Sequence, residues 1–98
     1  MTPIILLHHN EIDFLKKCVN SIKVNTKLKH QIIIIDNKSN KKTIEILKKD
    51  FSKKYKVIYN SKDNRVYGLN LGIDSIKYSW DRIILSDSDI IFKKTKLF

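Results

Sequence analysis

Three short runs of aliphatic residues, Ile4 to Leu7, Ile32 to Ile35 and Ile83 to Leu85, constrain this chain more than any other feature in it. Continuous rather than alternating β-branched runs suit strands covered on both faces, which points to a parallel sheet with helices on either side. The segments between the runs carry helical spacing. After Asn10, which can cap with Asp13 three residues on, the residues Phe14, Leu15, Cys18, Val19 and Ile22 form one apolar stripe. Ser39 or Asn40 can cap a second helix with Ile44, Leu47 and Phe51 inward and Lys41, Lys42, Lys48 and Lys49 outward. A short strand is expected around Val57 to Tyr59, then a third helix with Leu69, Ile73 and Ile76 inward and Trp80 closing its end. The alternation predicts an α/β chain, a three-layer α/β/α sandwich on a mainly parallel sheet.

Ninety-eight residues allow one domain, 1–98, and exclude a large two-lobed enzyme. The net charge of +10 suggests an anionic partner, but 18 of the 20 basic residues are Lys, and Ile and Asn are inflated beside it. That pattern reads as background composition, so the charge is discounted as functional evidence. The lysines gather on outer helix faces and at Lys53 to Lys56, where a solvated surface is the plain reading and a nucleic-acid or anionic-membrane patch the sharper one. Two Arg and no interleaving of aromatic with basic residues give nucleic acid little support, and none is expected as a partner. Cys18 is alone, so neither an internal disulfide nor a cysteine zinc cluster can form. No apolar run approaches the ~18 to 20 residues of a membrane span. The start of the chain has no basic region ahead of its apolar run, and the expectation is a cytoplasmic chain.

Each aliphatic run switches abruptly to polar residues: to His8, His9 and Asn10, to Asp36, Asn37, Lys38 and Ser39, and to Ser86, Asp87, Ser88 and Asp89. Carboxyl ends of parallel strands share one edge, and ligands bind in the crevice where strand order reverses. Loop polarity alone would also give one such cluster; three that combine acids, amides and imidazoles argue for a polar ligand site. Asp87 and Asp89 are separated by one residue just past a strand, so both can approach one hard cation such as Mg²⁺ or Mn²⁺. The spacing is common by chance in a chain with eight Asp, so its position supplies the specificity. His8 and His9 face opposite ways on a strand, which opposes a shared metal and suits one packed and one crevice-lining imidazole. Asp36 can accept a hydrogen bond from a nucleobase imide or a ribose, or serve as a cap or turn aspartate. Cys18 reads as core. Gly68 and Gly72 are too few for a dinucleotide fingerprint or a P-loop.

This ordered set resembles the amino-terminal, nucleotide-sugar-binding half of family 2 glycosyltransferases, which have the GT-A fold. The similar stretches are the first strand into His9-Asn10, the helix Phe14 to Ile22, Ile32 to Ser39, Thr43 to Leu47, Asn64 to Gly72, and Ile83 to Asp89. They run in order from about residue 3 to 92. The resemblance implies a Rossmann-like sheet ordered 3-2-1-4 and a UDP- or GDP-type sugar donor. It implies that His8, His9 and Asn10 line the nucleotide pocket, that Asp36 contacts the base, and that Asn64 and Arg65 lie near the nucleotide with Arg65 on a phosphate. Asp87 and Asp89 become the family's D-x-D motif, with Asp87 towards the ribose and both towards a divalent cation, Mn²⁺ or Mg²⁺.

Departures from the family pattern stand beside these matches. Leu7-His8-His9-Asn10 replaces a frequent Pro-x-Tyr-Asn, Lys38 stands where Gly or Ala is frequent, and the Asn64 region is shorter than usual. Only Ile90 to Phe98 follow Asp89, whereas family members continue into an acceptor-binding half with the general base. The expectation is a truncated domain, inactive in transfer by itself, with self-association through uncovered apolar surface and peripheral contact with the inner face of the membrane both compatible with it. The acceptor is not readable. A non-catalytic basic module binding a polyanion is the reading from a different class. A nucleotidyltransferase-like domain would want a Gly-rich loop after Leu7, and a phosphoacceptor receiver an acidic pair there; neither is present.

Overall fold

The computed structural model describes residues 1–92. Strand β1 (Thr2–His8) is followed by helix α1 (Ile12–Asn25), β2 (His30–Asn37), α2 (Lys41–Ile46), β3 (Lys56–Asn60), α3 (Arg65–Asp74) and β4 (Ile84–Asp87). The four strands form one wholly parallel sheet in the order β3-β2-β1-β4. This is the α/β/α architecture and the strand order expected from the sequence. Among the described residues no helix is long and apolar enough to cross a membrane.

The uninterrupted aliphatic runs follow from the two covered faces. Ile4, Leu6, Ile32 and Ile34 pack against Leu15, Cys18, Val19 and Ile22 of α1 and against Leu47 and Phe51 beyond α2. Ile5, Ile33 and Ile35 point the other way, onto Leu69 and Ile73 of α3 and onto Ile76. Each such Ile contributes roughly 1.5–3 kcal/mol on burial, and with both faces covered the middle of each strand, Pro3 to Leu7 and Ile32 to Ile35, carries no polar residue.

Four local expectations are corrected. Asn10 does not cap α1: it takes a left-handed φ of 50° and its side-chain oxygen accepts from the Asn40 N–H, so α1 starts after Glu11 without a side-chain cap. Phe14 leaves the apolar stripe and is 49% exposed, because Leu15 and Cys18 already fill the contact with the sheet. Leu85 is 48% exposed, because β4 is an edge strand and α3 lies over β1 and β2 rather than over it. Trp80 does not close α3, which ends at Asp74.

The second helix is capped by Asn40, whose oxygen accepts from the Thr43 N–H at 2.9 Å. It then widens into a π-helical turn, Leu47–Phe51, that drops Leu47 and Phe51 into the core. Gly68 and Gly72 form the underside of α3. A methyl group on Gly72 would stand 3.0 Å from Ile35 Cδ1 and 3.2 Å from Ile5 Cδ1, so the missing side chains let the helix lie directly on the sheet.

Candidate active site at the carboxyl edge of the sheet

Strand register brings the polar strand ends together. His8 lies beside Asp36, Asn37 beside Asn60, and Leu7 beside Asp87. Side chains alternate across the sheet, so His8 and Asp36 fall on the α1 face, whereas Asn37, Asn60 and Asp87 fall on the α3 face.

On the α1 face His8 Nδ1 is 2.9 Å from Asp36 Oδ1, and the Glu11 backbone N–H donates to His8 Nε2 at 3.0 Å. An amide N–H can only donate, so Nε2 accepts and the ring proton sits on Nδ1, directed at the carboxylate. Asp36, 1% exposed, also accepts from the Ser39 hydroxyl at 2.5 Å and the Ser39 N–H at 3.2 Å. Burial pushes its carboxyl up, but the hydrogen bonds from His8 and Ser39 outweigh that and hold it below the ordinary value of 3.8. Ser39 Oγ in turn accepts from the Asn10 N–H at 2.9 Å. These bonds tie the loops after β1 and β2 into one unit beneath the edge.

On the α3 face Asn60 donates to Asn37 Oδ1 at 2.9 Å, and its other amide atom accepts from the Lys62 N–H at 3.0 Å. Asn64 caps α3 by accepting from the Tyr67 N–H at 3.0 Å. The tight approach of Gly68 to Asn37, Ile35 and Asn60 sets the amino end of α3 on this pair. Arg65, the first residue of α3, then reaches β4: its Nη1 is 2.6 Å from Asp87 Oδ1. Both side chains remain open to solvent, at 67% and 44% exposure.

Above these layers is an open cleft of about 320 Å³, lined by Leu7, His8, His9, Glu11, Asn37, Asp63, Arg65, Asp87, Ser88 and Asp89. It occupies the crevice between β1 and β4, where the strand order reverses. His9 is anchored at its rim by a 2.6 Å hydrogen bond from Nδ1 to the Asn37 carbonyl. Asp87 is fixed by its strand, and the buried Ser88 after it donates its N–H to the Leu7 carbonyl at 2.9 Å. Asp89 is exposed beyond that turn. Four acidic side chains, Glu11, Asp63, Asp87 and Asp89, therefore line one cleft of a chain whose net charge is +10.

Among the described residues no three His, Cys, Asp or Glu side chains cluster as a ready-made metal cage. The donor set nonetheless fits a hard cation: Asp87 at the strand end and Asp89 beyond the following turn supply carboxylate oxygens to the same cleft, and Mg²⁺-type ions take one or two carboxylates with the remaining positions given to water and phosphate. A smaller hollow of about 200 Å³ between α1 and the π-helical turn, lined by Lys16, Lys23 and Lys54 with Phe51 and Tyr55, shares no residue with this cleft.

The sequence model of the family described as Glycosyl transferase family 2 matches residues 4–98. The chain belongs to that family. No curated protein matches it in sequence. In this glycosyltransferase domain the structure brings His8, His9, Arg65, Asp87 and Asp89 to one cleft, puts Asn10 on the neighbouring loop, and buries Asp36 underneath, bonded to His8. Asn64 acts as the α3 cap behind Arg65. Sequence reasoning missed Glu11, Asn37, Asp63 and Ser88 as lining residues. The signal for Asn37 and Ser88 was their place inside the polar strand ends; for Asp63 it was adjacency to Asn64.

Proposed function

We propose that the cleft binds a nucleoside-diphosphate sugar as donor, through a divalent cation held by Asp87 and Asp89. The observation that carries this reading is the acidic lining of the cleft in a basic chain, at the switch point of the sheet. Carboxylates alone repel a diphosphate, so a cation must stand between them, and Arg65 supplies the one guanidinium on that wall. The same lining disfavours a bare polyanion in this cleft.

The cation, when bound, neutralises the diphosphate and stabilises it as a leaving group. Asp87 and Asp89 would hold that cation, and Asp87 would face the ribose. Arg65 binds a phosphate oxygen and orients the diphosphate against β4. His9 and Asn10 flank the nucleoside. Asp36, its oxygens already accepting from His8 and Ser39, acts by fixing the two loops on which the nucleoside rests. We assign to this chain donor binding and activation of the leaving group; deprotonation of the acceptor is assigned to no residue here.

Thermal unfolding with UDP or GDP, with and without Mn²⁺, tests the reading. A ligand at about a hundred times its Kd adds about 2.7 kcal/mol, which in a chain of this size raises Tm by on the order of 10 °C. The rise should require Mn²⁺ and disappear in Asp89→Ala. No shift with either nucleotide, together with salt-sensitive oligonucleotide binding, would sink the donor-site reading.

A further inference from the structure

The ion pair between Arg65 and Asp87 joins two groups that the donor-site reading gives to different partners. Asp87 cannot leave its place: β4 pairs with β1 through Leu7, and the buried Ser88 is bonded to the Leu7 carbonyl. Arg65 is less confined by its neighbours. It is the first residue of α3, two-thirds exposed, on a long side chain. At 2.6 Å its Nη1 occupies one of the two Asp87 oxygens that could ligate a cation, and its positive charge stands against a second cation on that carboxylate.

We propose that this pair is an exchangeable latch that couples cation and nucleotide binding, an inference that rests on the donor-site reading. Without nucleotide, Arg65 holds Asp87 and weakens binding of a bare divalent cation. A diphosphate offers the guanidinium an acceptor of equal geometry and higher charge. Arg65 then swings from Asp87 to the phosphate, Asp87 Oδ1 is freed for the cation, and one event serves both ligands. The exchange costs little because both ends are solvated: an exposed ion pair of this kind changes an affinity by a factor of about two to five. A latch much stronger than that would exclude the metal, and a much weaker one would leave the cleft loaded with metal alone.

The test is Mn²⁺ binding by the full chain, read from loss of the free-ion paramagnetic resonance signal, alone and with UDP, GDP or inorganic pyrophosphate. Arg65→Gln should bind Mn²⁺ alone about two to five times more tightly than the unaltered chain, yet bind each diphosphate more weakly. Lys62→Gln is the charge-matched control. Lys62 lies on the same connection but over the Tyr67 ring, 4.3 Å from its centroid, and not on Asp87. Its loss should leave Mn²⁺ affinity within about twofold.

Equal or weaker Mn²⁺ binding by Arg65→Gln overturns the latch while leaving the donor site standing, provided that nucleotide binding still needs Mn²⁺. An equal gain in Lys62→Gln also overturns it, because general charge would then explain the effect. Absence of Mn²⁺ and nucleotide binding in the unaltered chain overturns the latch and the donor site together.

Discussion

Replacing Gly68 by Ala should loosen the support of the site from beneath. A Cβ there clashes directly with Asn37 Oδ1 and stands 3.1 Å from Ile35 Cγ2 and 3.2 Å from Asn60 Nδ2. The first and third of these atoms belong to the buried Asn60–Asn37 hydrogen bond of 2.9 Å. Overpacking of this kind costs about 1–3 kcal/mol, and parting two buried amides costs about 1–3 kcal/mol more. Better helix propensity returns about 1 kcal/mol. The net expectation is a loss of about 3 kcal/mol, or a Tm lower by roughly 15 °C in a domain of this length. Gly72→Ala provides the comparison. Its new methyl meets only Ile35 and Ile5 methyl carbons, at 3.0–3.3 Å, so propensity and packing nearly cancel and stability should stay within about 1 kcal/mol. Thermal and urea unfolding of both variants provide the assay. A Gly68→Ala chain as stable as the unaltered one, or a Gly72→Ala chain the more damaged of the two, would refute the argument that the amide pair sets the height of α3.

Further outcomes follow from the titrating groups. The Asp36 carboxyl is held below its ordinary value of 3.8, so it adds stability above that pH and loses it as pH falls through the lower folded value. The Asp36→Asn chain should therefore be less stable than the unaltered one near pH 7, by about 1.5–3 kcal/mol, with the gap closing below pH 4; a gap independent of pH in urea melts would contradict this. Burial first, and then the charge of Asp89, push the Cys18 thiol up to about 11. Cys18 should resist a thiol reagent at pH 8 until denaturant is added, and prompt labelling of the native chain would show that α1 is not packed as described.

Much of this was legible in the sequence because burial on two faces leaves an unmistakable mark. The Ile32 to Ile35 run has no polar break, as suits a strand covered on both faces, and β2 is a central strand of the sheet. The polar switch after each run placed the site at one edge, because parallel strands bring like ends together. What stayed hidden depends on partners far along the chain. The exposure of Leu85 follows from where α3 settles, and Asn10 took a turn position because Asn40, thirty residues on, had an amide to satisfy. Gly68 and Gly72 were weighed as phosphate-loop residues, whereas their use is contact with Ile35 and Asn37, residues that a linear reading does not bring near them. The Arg65–Asp87 pair likewise exists only once α3 and β4 flank the same crevice.

The donor site is tested most directly by mapping amide ¹H–¹⁵N shifts of the isotope-labelled chain on titration with UDP or GDP in the presence of Mg²⁺. The account predicts perturbations concentrated at His8 to Glu11, Asn37, Asp63 to Arg65 and Asp87 to Asp89, all lost in Asp89→Ala. Perturbations that instead gather around Lys16, Lys23 and Lys54, indifferent to Mg²⁺ and to Asp89, would contradict it.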